Sequence, residues 1–123
     1  MLLIADTTVI SNFAYASRLD LLKGIGNTCT TEEVMSELHA VKRKRDLQIS
    51  FSNLFIEILK MDEDEMETFT RLCSKFGRGE ASCLATALHR NASILTDDLD
   101  ARRSAQQGSI SVSGSVGILI SFM

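Results

Sequence analysis

The chain of 123 residues contains no proline, no low-complexity tract and no internal repeat, so nothing in it marks a linker. Residues 1–123 are therefore expected to form one domain, a length within the ordinary range. Long apolar runs are missing too. The longest fall far short of a membrane span, and Met1–Ala5 meets Asp6 too early to be the apolar region of a signal peptide. These absences point to a cytoplasmic protein with no membrane partner. The three cysteines, Cys29, Cys73 and Cys83, lack CxxC spacing, which disfavours a disulfide framework and a thiolate zinc site and leaves them as small core residues. An excess of positive charge is also lacking. At a formal net charge of -3, nucleic-acid binding would have to come from a local basic patch or from metal ions. What is present, 45% hydrophobic and 24% charged residues, is an ordinary globular composition able to bury a core.

Leu2–Ala5 is a continuous apolar run of the kind that forms a parallel strand covered on both faces, and Asp6 ends it. Thr7 or Thr8 is expected to cap a helix whose apolar stripe is Val9, Ile10, Phe13 and Ala14. A short helix around Leu19–Leu22 ends at Gly24 and Gly26, and a weak strand near Thr28 and Cys29 follows. Thr30 and Glu33 then fit a capping box for a helix with Val34, Leu38 and Val41 inward. Leu54–Leu59 predicts a third strand, and Asp62 with Glu65 predicts the start of a helix whose core candidates are Met66, Phe69, Cys73 and Phe76. Gly79 supplies a break. Ala81, Leu84, Ala85 and Leu88 then recur with the spacing of one helical face, which places Glu80 in a first turn. Ile94 and Leu95 make a short buried strand running into Thr96-Asp97-Asp98-Leu99-Asp100. A helix stopped by Gln106-Gln107-Gly108, a strand over Ser109–Val112 and a last apolar helix over Gly114–Leu119 complete the series. Strands alternating with helices throughout predict a three-layer α/β fold, with a central, mainly parallel sheet of about five strands flanked by helices.

The acids carry the chemistry. Asp6 and the Asp97-Asp98 pair both fall at carboxyl ends of strands, where open α/β sheets build their sites. Taken alone, Asp6 is more often a turn or capping residue. Glu37 falls beside Leu38 at the edge of an apolar stripe, where its stem covers apolar surface or its head needs a partner. Asp62, Glu63, Asp64, Glu65 and Glu67 instead crowd one helix N-terminus, where the macrodipole favours negative charge, and their role is structural. His39 is expected on an outer face. Neither it nor His89 has a catalytic neighbour in sequence, so a Cys/His mechanism through Cys83 is disfavoured. The run Lys42-Arg43-Lys44-Arg45 suits a helix C-terminus, with phosphate binding the lesser reading. Other classes lack their residues. DTTVIS is not the glycine-rich turn of a dinucleotide-binding domain, and Thr8 occupies the second acidic position of an Asp-x-Asp phosphatase. A receiver domain needs paired acids after its first strand and a late lysine, whereas Asp6 is single and no lysine follows Lys75.

The succession DTTVISNF, TTEEVMSEL, GRGEASCLATAL, SILTDDLDARRSA and GSVGIL, spread over nearly the whole chain, resembles PIN-domain proteins. The likeness is to VapC-like toxins and PIN-like ribonucleases of the branch whose third acid is the Glu of a GEA segment; Ser115 stands where that branch usually has threonine. Carried over by position, the resemblance implies a catalytic set of Asp6, Glu37, Glu80 and Asp98. It implies Mg2+ or Mn2+ held by Asp6, Glu80 and Asp98, with Glu37, Asp97 and Asp100 as further candidates. Thr7 and Thr96 match hydroxyl positions flanking the pocket. Arg102 and Arg103, nearest the acids in sequence, are the expected phosphate contacts, with Arg78 and the Lys42–Arg45 run behind them.

Clustered carboxylates raise one another's pKa, and a bound divalent cation relieves them; oxygen-only ligands suit magnesium or manganese. The implied activity is hydrolysis of phosphodiester bonds in single-stranded RNA. The implied setting is the toxin half of a toxin–antitoxin pair, with an antitoxin protein blocking the pocket and a homodimer as a further expected assembly. The competing expectation is a PIN-like module that binds RNA or protein without cleaving it.

Overall fold

The structure, a computed structural model, describes residues 2–15, 18–40 and 56–117. Its elements in chain order are β1 (Leu2–Ala5), α1 (Thr7–Tyr15), α2 (Leu19–Gly24), β2 (Asn27–Thr31), α3 (Glu32–Ala40) and β3 (Glu57–Leu59). There follow α4 (Glu63–Leu72), α5 (Arg78–Arg90), β4 (Ser93–Leu95), α6 (Leu99–Gln107) and β5 (Val112–Ser113). The five strands form one sheet in the order β3-β2-β1-β4-β5. Every pairing is parallel. Helices flank this sheet, as the strand–helix alternation predicts, in a three-layer α/β arrangement.

The strand order fixes where a site can form. From β1 the chain builds outward through β2 to β3, then returns to lay β4 against the other side of β1. Between β1 and β4 the order reverses, and the crevice outside the carboxyl ends of such neighbours is where open α/β sheets bind ligands. Asp6 follows β1 and Asp97 and Asp98 follow β4, and the Asp6 amide donates to the Leu95 carbonyl at 3.0 Å.

Burial follows the apolar pattern with informative exceptions. Ile4, Ala5, Cys29, Ile94 and Leu95 are buried in the sheet, and Val9, Ile10, Phe13, Val34, Leu38, Phe69, Phe76 and Leu84 pack on it. Cys83 is buried as well, while Cys73 is partly exposed. Met66 and Leu88, expected in the core, are exposed by 43% and 51%. In α5 burial runs unbroken from Ala81 to Ala87, mostly small residues enclosed on every side, and Leu88 follows directly after that stretch. Helix starts also shift by a residue. Asp6, not Thr7 or Thr8, caps α1, accepting from the Val9 amide at 3.1 Å. Thr31, the last residue of β2, rather than Thr30 accepts from the Val34 amide, while the Thr30 hydroxyl donates to the Ala5 carbonyl. The Asp62–Glu65 capping box forms as expected. The last strand covers Val112–Ser113 rather than Ser109–Val112, since Ser109 adopts a positive φ of 60° in the preceding turn. Leu54 and Phe55 of the third predicted strand, Val41, the Lys42–Arg45 run and the end of the last apolar helix lie outside the described residues. No described helix is long and apolar enough to cross a membrane.

Candidate functional site

Asp6 is the base of the site. Leu2–Ala5 delivers it to the strand end, where it is 1% exposed and fully engaged. Its Oδ1 accepts from Thr8 Oγ1 at 2.7 Å and from the Val9 amide, and its Oδ2 accepts from the Thr96 hydroxyl. Burial raises its pKa, against the lowering effect of the bonds from Thr96, Thr8 and Val9. A buried carboxylate with three donors is rigid, and one lone pair, on Oδ2, remains for a further contact.

Glu80, Asp98 and Glu37 face Asp6 from three other elements. The first turn of α5 carries Glu80, whose carboxyl is pushed up to about 7. Burial is the largest cause, followed by the charges of Asp98 and Asp6, hydrogen bonding with Asp98 and the charge of Glu37. Those causes place Asp98, Asp6 and Glu37 within electrostatic reach of Glu80. Asp98 is the N-cap of α6, its Oδ1 accepting from the Ala101 amide at 2.8 Å and its own amide donating to Thr96 Oγ1 at 3.1 Å. Glu37 reaches across from α3: Oε2 accepts from Thr7 Oγ1 at 2.7 Å and Oε1 from the Gly79 amide at 2.8 Å. Among the described residues none of the four carboxylates has a Lys or Arg ion-pair partner.

The remaining residues singled out in the sequence fall into different places. Asp97, adjacent to Asp98, is turned away into a structural latch. It accepts from Asn12 Nδ2 and the Ser115 amide, each at 2.7 Å, and from the Ser115 hydroxyl. Burial opposes its ionisation, but these bonds and the nearby Arg102 hold its pKa below the usual value. Thr96 does not flank the pocket as a substrate contact. It is 0% exposed, and its hydroxyl is used up between Asp6 and the Asp98 amide. Asp100 and Arg103 are exposed on α6, and Thr7 and Arg102 are half-buried. Arg78, at the start of α5, stacks its guanidinium 5.2 Å from the centre of the Phe69 ring.

Sequence reading missed Thr8 and Asn12 as site residues. Thr8 donates to Asp6 and accepts from the Asp97 amide at 3.0 Å, so one hydroxyl ties the ends of β1 and β4 together. Asn12 is four residues on, one helical turn along the same face, and holds Asp97. A polar pair at i and i+4 directly after the strand-end acid is the signal that finds both.

Magnesium and manganese fit the donor set, which is carboxylate oxygen throughout and rests on rigid strand and helix ends. Among the described residues no group of three or more His, Cys, Asp or Glu lies close enough together to hold a metal ion. An open arrangement suits hard cations that keep several waters and take only one or two carboxylates directly.

Comparison with known proteins agrees with this architecture. A family model described as PIN domain matches residues 2–123. VapBC-1 from nontypeable Haemophilus influenzae is similar in structure at a TM-score of 0.66 and 12% identity, covering 94% of this chain and 99% of that one. VapBC2 from Rickettsia felis, bound to a DNA fragment from its promoter, gives 0.67 at 17% identity and covers 93% and 98%. A PilT N-terminus domain protein from the archaeon Sulfolobus solfataricus gives 0.67 at 13% identity and covers 98% and 92%. No curated protein matches the sequence. With a five-stranded parallel sheet in the order β3-β2-β1-β4-β5, and with the family model spanning residues 2–123, the chain belongs to the PIN-domain family.

Proposed function

We propose that the protein is a divalent-metal-dependent ribonuclease that hydrolyses phosphodiester bonds of single-stranded RNA. The observation that carries this is the unneutralised acidic cluster. Burial and the charges of Asp98, Asp6 and Glu37 push Glu80 to about 7, and among the described residues none of the four carboxylates has a Lys or Arg ion-pair partner. Such a cluster is costly unless a cation binds, and Asp6, Glu80 and Asp98 would hold it. A bound Mg2+ or Mn2+ supplies charge stabilisation at the scissile phosphate and lowers the pKa of an attacking water. The protein's part is to hold the ligands still: Thr8 and Thr96 fix the Asp6 carboxylate, Thr96 also fixes the Asp98 backbone, and the Asp97 latch closes the loop after β4. No nucleophilic serine or cysteine is required.

The VapBC neighbours and the family support a toxin role, with a small antitoxin protein as partner covering the acidic pocket in a cytoplasmic pair. The test is cleavage of an unstructured RNA by highly purified protein with Mn2+, with chelator, and by Asp98→Asn. Asparagine caps helices about as well as aspartate, so α6 keeps its start while the ligand charge is lost. Cleavage is expected to vanish with chelator and to fall at least about tenfold in the variant. Activity that survives both would overturn the metal mechanism. RNA binding without any cleavage would establish the binding-module alternative instead.

Substrate affinity gives a second test. Arg103 is exposed and Arg102 half-buried beside the site. Replacing both with Gln is expected to weaken RNA binding and to lower the slope of log K against log salt by roughly 0.7 per lost phosphate contact. An unchanged slope would move the binding surface elsewhere.

A further inference from the structure

Resting on the ribonuclease reading, we propose that Gly79 is a positioning residue: its amide and the absence of a side chain form the seat of the Glu37 carboxylate. Glu37 so seated braces the site.

The geometry is specific to this glycine. Glu37 Oε1 accepts from the Gly79 amide at 2.8 Å, and a Cβ at position 79 would lie 2.5 Å from Oε2, 2.8 Å from Cδ and 2.9 Å from Oε1. No real side chain tolerates such contacts. At Gly77, two residues away, a Cβ would meet Glu37 Oε1 at an ordinary 3.9 Å. Neither glycine has a positive φ, so backbone strain does not explain either one. Gly79 is therefore required by close approach and not by a turn.

The second oxygen decides the role. Oε2 accepts from Thr7 Oγ1 at 2.7 Å. Thr7 follows Asp6 and Gly79 precedes Glu80, so the two groups that hold Glu37 are the sequence neighbours of two proposed ligands. One carboxylate thus ties the start of α1 to the start of α5 and sets how far Asp6 stands from Glu80. With an oxygen committed to each side, Glu37 acts through these neighbours.

The atoms that would yield to a methyl group at 79 are the end of the flexible Glu37 side chain, not backbone. Gly79→Ala should thus dislodge Glu37 without unfolding α5, where alanine is the better helix former. The test compares wild type, Gly79→Ala and Gly77→Ala by melting, by carboxyl 13C shifts of the four acids with and without Mg2+, and by RNA cleavage with Mn2+. Gly79→Ala is expected to melt no lower than wild type and to shift the metal-free Glu37 signal. Its kcat should fall by about tenfold to a hundredfold with KM within about twofold. Gly77→Ala should behave as wild type throughout. A Gly79→Ala protein with an unmoved Glu37 signal and unchanged kcat overturns the proposal. If wild type neither cleaves RNA nor responds to Mg2+, the ribonuclease reading fails, and the metal-free Glu37 signal in Gly79→Ala still decides whether the seat exists.

Discussion

Replacing Arg90 with methionine is expected to lower the unfolding free energy by about 1–3 kcal/mol, the cost of leaving a buried acceptor without its partner and less than for a fully buried pair, because Arg90 is itself exposed. The Glu65 side chain is 0% exposed, and Arg90 closes over it with Nε at 2.8 Å from Oε2 and Nη2 at 3.0 Å from Oε1. Arg90 Nη2 also donates to the Lys60 carbonyl at 2.7 Å, and Glu65 Oε1 accepts from the Asp62 amide at 3.0 Å. One pair therefore joins the entry to α4, its first turn and the end of α5. Without the guanidinium, Glu65 is a buried carboxylate left with a single backbone donor. Replacing both residues with methionine should recover much of the loss, since an apolar pair of similar volume avoids desolvation altogether. The pH dependence separates this from simple loss of packing. Hydrogen bonding to Arg90 is the chief cause of Glu65's lowered pKa. In wild type its contribution is fully present above the unfolded carboxyl value and is lost as pH falls through the lower folded value. In Arg90→Met, burial without a partner raises the folded pKa, so that contribution reverses sign with pH. Urea unfolding of both proteins across the acid range measures it. Equal losses at every pH would mean that the pair contributes packing and no charge interaction.

That pair also shows where sequence reading stops. The strand and helix pattern was legible because it is local: Leu2–Ala5 runs apolar into Asp6, and Asp62 with Glu65 signs a helix start within four residues. Helix periodicity also placed Glu80 in its first turn. The parallel sheet and its crowded carboxyl edge followed from strand–helix alternation. Glu65, however, read as one more acid at a helix N-terminus, and nothing nearby in the chain marks Arg90 as its partner. Gly79 read as a break, though it lies inside the first turn of α5 and is needed for a contact with Glu37, which lies 42 positions earlier. The resemblance made Thr96 one of the hydroxyls flanking the pocket, and its hydroxyl donates inward to Asp6. These outcomes depend on which elements meet in space, and spacing along one element carries no record of that.

Neutralising Glu80 should stabilise the metal-free protein. Its carboxyl is raised from 4.5 to about 7 by burial and then by the charges of Asp98, Asp6 and Glu37. Because the folded value lies above the unfolded one, the native state binds more protons between those two values. Wild-type stability therefore falls as pH rises through that window and levels off above it. The full shift corresponds to roughly 3 kcal/mol at about 1.4 kcal/mol per unit, and partial solvent screening reduces it to the order of 2 kcal/mol. Glu80→Gln keeps the shape, removes the charge and can donate to Asp98, so at pH 8 with chelator it is expected to melt higher than wild type. At pH 4 the two should converge, since the acid is then protonated in both states. Divalent cations should reverse the order. A cation at one hundred times its Kd stabilises wild type by about 2.7 kcal/mol, and the Gln protein, one charged ligand short, gains less. Melting curves of the two proteins at both pH values, with chelator and with Mn2+, contain the whole test. If they coincide at pH 8 without metal, the acids do not share a site and the cluster loses its claim on a cation. If the Gln protein is more stable but Mn2+ changes neither, the repulsion is real and serves something other than metal binding.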